Sequence, residues 1–251
     1  MHLAVHELRL RRMKNSEGPS RMSHIYAIGD LHLSLSVPNK AMDVFGAQWR
    51  DHTARIKEAW QDTVGPEDLV LIPGDVSWAM YLFDARADLA FLGELNGSKL
   101  LMRGNHDYWW QSVTKVRAAL PTGLYALQND VFRFGDVFIA GTRGWTIPMS
   151  SHYKESADRK LYERELIRLD LSLKRLPQGE RCIGMLHYPP FSETGEPSAF
   201  AERFEAAAVT DVVYGHLHGS ASRAAFAGEH AGVRYHLVSA DYLDFVPKLI
   251  V

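Results

Sequence analysis

The fold class is decided by two stretches of the chain, Leu69-Val-Leu-Ile-Pro-Gly-Asp75 and Lys99-Leu-Leu-Met-Arg-Gly-Asn-His-Asp107. Each is a short apolar run that ends in a glycine and polar residues, and Ile25-Tyr-Ala-Ile-Gly-Asp30 has the same form. Continuous apolar strands separated by helix-length segments are typical of a parallel sheet that helices cover. The sequence therefore predicts an α/β fold whose polar residues lie at the carboxyl ends of strands, where such sheets carry functional groups.

The segments between these strands have the periodicity of helices. Apolar residues recur at three- or four-residue steps, or their multiples, over 42–60 and over 80–95. This spacing predicts amphipathic helices. A charged helix is expected over 157–176, and a further helix is expected to open at Trp109 and Trp110 and to continue through Leu120.

The middle of the chain predicts a second sheet. Three short apolar runs, at 124–127, 131–134 and 137–140, are separated by the turn sequences Asn129-Asp130 and Gly135-Asp136. They indicate hairpins or a meander in an antiparallel or mixed sheet. Further strands are expected at 181–186, 211–214 and 234–238. We expect one domain over residues 23–251, preceded by a flexible arm over residues 1–22 that lacks the apolar core of a secretory signal.

Composition excludes several classes of protein. The chain has 251 residues, a formal net charge of −2 and one cysteine, Cys182. A single cysteine forms no internal disulfide and supports no cysteine-based zinc site. No apolar run approaches the ~18 residues that span a bilayer, and a near-neutral chain has no bulk attraction to nucleic acid or anionic lipid. We therefore expect a cytoplasmic protein with no membrane partner and no long nucleic acid partner.

Five polar clusters occur where the predicted strands end, and they supply three carboxylates, an amide oxygen and five imidazoles. Each cluster alone has an ordinary interpretation as a turn, a helix cap or surface histidines. Their joint placement favours a site for one or two borderline divalent cations, since imidazole suits Mn, Fe, Co, Ni or Zn and carboxylate keeps the site hard. The clusters are Asp30-Leu-His32, Gly74-Asp75, Gly104-Asn-His-Asp107, His187 and Gly215-His-Leu-His218.

Taken in this order, the clusters resemble the signature of the calcineurin-like metallophosphoesterase superfamily, and the resemblance runs from Asp30 to His218. The stretches 74–79 and 103–110 further resemble a little-characterised prokaryotic branch of predicted phosphohydrolases. The resemblance implies a four-layer α/β/β/α sandwich in which two stacked mixed sheets are flanked by helices. It also implies a metal-dependent hydrolase that acts on small phosphate esters, either monoesters or diesters.

The resemblance implies a site with two divalent metal ions. The first ion would be held by Asp30, His32, Asp75 and His218, and the second by Asp75 as a bridge together with Asn105, His187 and His216. We expect manganese, with Fe, Zn, Co or Ni as alternatives. Two such cations about 3.5–4 Å apart share a hydroxide that attacks phosphorus in line.

His106 is the motif histidine that is not assigned to a metal. In the family it protonates the leaving group, which is general acid catalysis. Asp107 is the adjacent candidate to orient His106; the alternative is a carboxylate in the first turn of a helix, favoured there by the helix dipole.

Departures from the family pattern make protein phosphatase activity doubtful. Trp78 and Ala79 stand where those members have an aspartate and an arginine, so phosphate must be gripped by other residues. Arg143 is either a phosphate ligand or a solvated turn arginine. Arg103 is either a phosphate ligand or the partner of a carboxylate at the edge of the sheet. Six aromatic residues near the strand ends are candidates for a substrate wall, and otherwise for core: Trp78, Tyr108, Trp109, Trp110, Trp145 and Tyr188.

Two other functions remain open from the sequence. One is a nucleotide-directed phosphodiesterase or nuclease on the same metal site. The other is a binding module that keeps the fold without the chemistry, although such proteins usually lack metal ligands or the acid histidine. The physiological substrate and the oligomeric state are not predicted.

Overall fold

The fold consists of two β-sheets stacked face to face between two layers of helices. A computed structural model describes residues 6–7, 23–40 and 42–251. The predicted arm over residues 1–22 lies outside the described residues, apart from His6 and Glu7. No helix among the described residues is long and apolar enough to cross a membrane.

The first sheet carries the two stretches that decide the fold class and the third stretch of the same form, at 25–30. Its strand order is β12-β2-β3-β4-β5, and neighbouring strands from β2 to β5 are parallel. Ala27 pairs with Leu71, and Leu71 pairs with Leu100, so the carboxyl ends of these three strands lie side by side at the same end of the sheet. The strands are β2 (Ile25–Ala27), β3 (Leu69–Ile72), β4 (Ser98–Leu101), β5 (Leu124–Ala126) and the antiparallel edge strand β12 (Lys248–Leu249).

The second sheet is mixed, with strand order β1-β6-β7-β8-β9-β11-β10. Strands β7, β8, β9 and β11 are parallel, whereas β6 and β10 pair antiparallel with their neighbours. The two-residue strand β1 (His6–Glu7) pairs in parallel with β6 at the edge. The other strands are β6 (Val131–Phe134), β7 (Val137–Thr142), β8 (Arg181–Leu186), β9 (Asp211–Tyr214), β10 (Gly228–His230) and β11 (Val233–Leu237).

Alternation along each strand builds three apolar layers. In β3, Val70 and Ile72 face the helices of the first sheet, where they pack with Trp60. Leu69 and Leu71 face inward and pack against residues of the second sheet such as Met185. Helices α1 (His52–Thr63), α2 (Arg86–Glu94) and α3 (Val113–Ala119) cover the first sheet, and α4 (Glu155–Leu173) and α5 (Ala199–Ala206) cover the second. The predicted α/β/β/α sandwich is confirmed.

Several helix boundaries differ from the sequence-based prediction. The predicted helix over 42–60 is interrupted. Residues 42–49 form short 3-10 turns and α1 begins only at His52, because Gly46 and Asp51 adopt positive φ. Over 80–95 the helix begins only at Arg86. Trp109 and Trp110 precede α3, which the Ser112 side chain caps. The predicted helix over 157–176 is α4, Glu155–Leu173.

One strand predicted for the second sheet lies in the first. The run at 124–127 forms β5, which pairs in parallel with β4 in the first sheet. The turn at Asn129, where φ is +57°, then carries the chain across to the β6–β7 hairpin of the second sheet. The apolar pattern of β5 suits either sheet, so only the pairing partner distinguishes them.

Candidate metal centre

The five polar clusters meet at the carboxyl ends of the strands, where the two sheets come together. The Asp30 carboxylate accepts hydrogen bonds from the backbone N–H of His216 at 3.0 and 3.1 Å, although the two residues are 186 positions apart. Asn105 Oδ1 lies 2.6 Å from His187 Nε2 and 2.9 Å from His216 Nδ1. Segments that are distant in the chain therefore build one cluster.

One group of potential ligand atoms comes from Asp30, His32 and His218, whose atoms lie within 4.8 Å of one another. His32 Nε2 is 3.3 Å from His218 Nε2, and His218 Nε2 is 3.6 Å from Asp30 Oδ1. These are three of the four residues that are predicted to hold the first ion.

A second group comes from Asp30, Asp75 and His187, again within 4.8 Å. Asp75 Oδ2 lies 3.6 Å from His187 Nε2 and 3.9 Å from His32 Nε2, so it stands between the two groups, as a bridging ligand must. Asp30 also contributes to both groups, whereas its predicted place is at the first ion only.

The backbone at this edge is strained. Asp30, His32, Asp75 and His216 all have positive φ, between +47° and +75°. This left-handed conformation costs a non-glycine residue of order 1–3 kcal/mol, and it persists only where surrounding structure enforces it. Such strain is concentrated at functional sites, and here it aims ligand side chains at a common point.

Motif glycines allow the loops to approach closely. A Cβ at Gly104 would overlap the Asp75 carboxylate, and one at Gly215 would overlap that of Asp30. Gly74 combines a φ of +102° with close contact to the backbone of Gly104. The glycines of the motifs are thus needed for space as much as for turning.

Two histidines are held by partners on the side away from the cluster. His187 Nδ1 lies 2.9 Å from the Pro73 carbonyl, and His218 Nδ1 lies 2.8 Å from Asp241 Oδ1. Each Nδ1–H donates, which directs Nε2 toward the cluster, and such outer partners are usual for metal-binding histidines. Asp241 is not among the predicted site residues, although it follows a strand end (β11) as the other acids do.

Burial sets the protonation of the cluster. It lowers the pKa of His187 to about 3 and that of His216 to about 4. Burial favours neutral His218 too, but hydrogen bonds to Asp241 and Asp30 outweigh it and raise its pKa to about 10. Burial and the charges of Asp107 and Asp30 raise the pKa of Asp75. A carboxylate packed among acids is stabilised by a nearby cation.

The donor atoms fit divalent cations. Because His187 Nδ1–H donates to Pro73, Nε2 of the neutral ring presents only a lone pair, which faces Asn105 Oδ1 at 2.6 Å. Two acceptors at this distance repel each other unless a cation or a proton lies between them. Carboxylate, amide and imidazole donors together are the set that borderline metals take.

Comparison with known proteins decides the family. The family model for calcineurin-like phosphoesterases matches residues 23–220. The chain belongs to the calcineurin-like phosphoesterase family. The chain spans 41% of the length of the curated phage relatives that it matches.

Individual relatives either match a small part of the chain or share few identical residues with it. The Gene 66 protein of Mycobacterium phage D29 is 37% identical over 89 residues, which is 34% of this chain and 41% of the phage protein. The solved structure of phosphopantetheinyl hydrolase (PptH) from Mycobacterium tuberculosis is 14% identical, with a TM-score of 0.57 over 91% of this chain and 96% of that chain. The protein of unknown function AQ665 from Aquifex aeolicus is 16% identical, with a TM-score of 0.48 over 90% and 95%. The likeness to PptH shows a shared fold.

Asp107 does not orient His106 by a hydrogen bond from its side chain. Its carboxylate is fully buried and accepts from the backbone N–H groups of Val76, Ser77 and Gly104 and from the indole of Trp109, at 2.8–3.2 Å. Both oxygens are thus used to tie the loop after β3 to the loop after β4. The predicted orienting role is corrected to a structural one.

His106 lines a cavity of about 400 Å³ next to the first group of ligands. Its ring lies 5.8 Å from that of His32 and 4.6 Å from that of Trp78, and Trp78 also stacks on His32 at 5.0 Å. Burial lowers the pKa of His106. Its Nδ1 is buried with no hydrogen-bond partner in the described part of the chain.

The candidate wall residues divide into two sets. Trp78 lines the His106 cavity, and Trp145 and Tyr188 line a second cavity of about 350 Å³ that reaches His216. Trp109 and Trp110 are buried in the core, and Tyr108 is half exposed. Space for organic groups therefore exists on two sides of the ligand cluster.

Proposed function

We propose that the protein hydrolyses small phosphate esters with the help of two divalent cations. Asp30, His32 and His218 would hold one cation, and Asn105, His187 and His216 the other, with Asp75 between them. The observation that supports this most strongly is the convergence of seven predicted ligands from both sheets on one cluster of carboxylates, an amide and imidazoles.

The cation pair, when bound, supplies Lewis acidity and lowers the pKa of the water that attacks phosphorus. The residues of the chain contribute position and protons. Asp75 and Asn105 position the proposed reaction centre at the carboxyl ends of the strands. The buried hydrogen bonds of Asp107 hold the loops that carry these two residues together. These groups are preorganised, which is how an enzyme favours in-line attack at low cost in entropy.

His106 is the proposed general acid. Its ring borders both the ligand group around His32 and the 400 Å³ cavity, so a leaving alkoxide that departs into the cavity meets the imidazole first. Trp78 and Phe45 give this cavity an aromatic wall, with stacked rings 6.4 Å apart. An organic alcohol is the leaving group that such a wall suits.

The proposal is tested by hydrolysis of p-nitrophenyl phosphate and bis-(p-nitrophenyl) phosphate by the full chain, with and without Mn²⁺. We expect Mn²⁺-dependent hydrolysis of at least one of them, and the ratio of the two rates assigns monoester or diester preference. The Asp75→Asn substitution should abolish this hydrolysis, because the negative charge proposed to bridge the two cations is lost. Asp62→Asn, the same change at an exposed aspartate, is the matched control and should keep full activity.

Absence of hydrolysis of both esters, or an Asp75→Asn variant as active as the wild type, contradicts the proposal. Metal binding without any hydrolysis would instead favour a binding module on this fold.

A further inference from the structure

A small polar cavity of about 70 Å³ lies on the same edge as the ligand cluster, outside it. Three arginines line it, together with Glu165, Gln111 and Gln128. Arg103 follows β4 and precedes Gly104-Asn105, and Arg143 follows β7. The third arginine, Arg168, comes from α4. A cavity needs only roughly 10–15 Å³ to hold a water, so there is room for a polyatomic group.

The wall of this cavity carries excess positive charge. Glu165 is buried and is satisfied by the Thr142 hydroxyl at 2.7 Å, by Arg168 at 2.6 Å and by Arg143 at 3.6 Å. Three arginines against one glutamate leave a formal excess of two positive charges, in a chain whose net charge is −2. The excess is therefore a local feature of this edge.

The guanidinium groups have donors to spare. Arg103 makes no hydrogen bond or ion pair within the described part of the chain, and its Nε is buried without a partner. Nε of Arg143 is also buried and unpartnered, while its guanidinium packs over the Trp145 ring at 4.6 Å. A buried charged donor without an acceptor costs free energy, which an anion in the cavity would recover.

We propose that this cavity binds a phosphate group as a site separate from the metal centre. Phosphate carries the charge that balances the excess, and the flat guanidinium fork matches its oxygens in a bidentate manner. The phosphate is either free inorganic phosphate or a second phosphate group carried by a substrate, since Arg103 is only two residues from Asn105. This inference goes beyond the proposed function and does not require hydrolysis.

The site is tested by calorimetric titration of the full, Mn²⁺-loaded chain with inorganic phosphate. Wild type should bind one more phosphate than Arg103→Gln, or bind it at least about tenfold more tightly, because hydrogen bonds to charged groups are lost. Arg103→Lys should keep part of the affinity, since it retains the charge without the fork. Arg175→Gln, at an exposed arginine beyond the end of α4, is the matched control and should titrate as wild type.

A second pair of titrations identifies the source of the phosphate. Butane-1-phosphonate and butane-1,4-diphosphonate are not hydrolysed and differ by one anionic group. A selective loss of diphosphonate affinity in Arg103→Gln supports a second phosphate on the substrate. If instead wild type and Arg103→Gln each bind the two compounds with equal affinity, and Arg103→Gln binds one inorganic phosphate fewer than wild type, the result supports free inorganic phosphate as the ligand.

The proposal is overturned if Arg103→Gln binds as many phosphate ions as wild type with the same affinity. It is also overturned if wild type binds none outside the metal centre. Neither result depends on ester hydrolysis, so failure here leaves the proposed phosphoesterase activity standing, and loss of that activity leaves this site testable.

Discussion

His106 and Asp107 are neighbours in the chain, yet their side chains do different work. The ring of His106 borders a cavity, whereas the Asp107 carboxylate is enclosed by four N–H donors. The motif places both residues at the site but does not state which direction each side chain takes. The direction of the Asp107 side chain depends on the loop after β3, whose N–H donors Val76 and Ser77 lie about 30 residues earlier in the sequence.

His106→Gln should retain both metal ions and lower kcat by roughly 10²–10⁴, the usual contribution of a general acid. The loss should be small with 2,4-dinitrophenyl phosphate and large with phenyl phosphate, because a good leaving group needs no proton. Steady-state kinetics with the two esters, alongside metal content, measures this. An equal loss with both esters would contradict the assignment.

Asp241→Asn should weaken Mn²⁺ binding by roughly 10–100-fold, as loss of an outer partner of a metal-binding histidine does. The carboxylate holds His218 Nδ1 at 2.8 Å and also accepts from the backbone N–H of Gly219. Calorimetric Mn²⁺ titration measures the change. Asp244→Asn, three residues along and largely exposed beside Arg55, is the control; unchanged affinity in Asp241→Asn would contradict the role.

Metal binding should release a proton at His218. With its pKa raised to about 10, His218 is cationic in the metal-free protein at pH 7, and it must be neutral to bind a metal. Affinity should therefore rise with pH from 7 toward 10. At pH 7 the apparent enthalpy of Mn²⁺ binding should differ between Tris and HEPES in proportion to their ionisation enthalpies; identical enthalpies would show that no proton is released.

At the scale of the elements, sequence periodicity located the strands well and the helix ends poorly. Strands β2 and β3 are visible as uninterrupted apolar runs because both faces of their sheet are buried. The helix expected at Trp109 failed because Asp107 holds this segment as a turn, in which Trp110 N–H donates to the Asp107 carbonyl at 3.1 Å. Long-range hydrogen bonds of this kind leave no periodic signal.

Asp107 fastens two strand-end loops, so Asp107→Ala should destabilise the protein by about 3 kcal/mol or more. Four buried donors would lose their acceptor, and each unsatisfied group costs roughly 1–3 kcal/mol. Urea denaturation of wild type and variant gives the difference in free energy of unfolding. Asp62→Ala, at an exposed position, controls for loss of a carboxylate; equal stability of Asp107→Ala and wild type would show that the loops do not need this residue.

At the scale of the whole molecule, the strand-end position of the motifs predicts a common ligand site, and their resemblance to a known family implies the sandwich. Parallel register in both sheets places Asp30, Asp75 and Asn105 at one end of the first and His187 and His216 at the adjoining end of the second. The assignment of β5 and the role of Asp241 could not be predicted, because both depend on which surfaces meet in three dimensions.

The proposed function requires two cations held between the sheets, and anomalous diffraction from crystals grown with Mn²⁺ tests this requirement most directly. We predict two manganese peaks about 3.5–4 Å apart, bounded by Asp30, His32, Asp75, Asn105, His187, His216 and His218. A single peak, or peaks that none of these side chains approach, would contradict it.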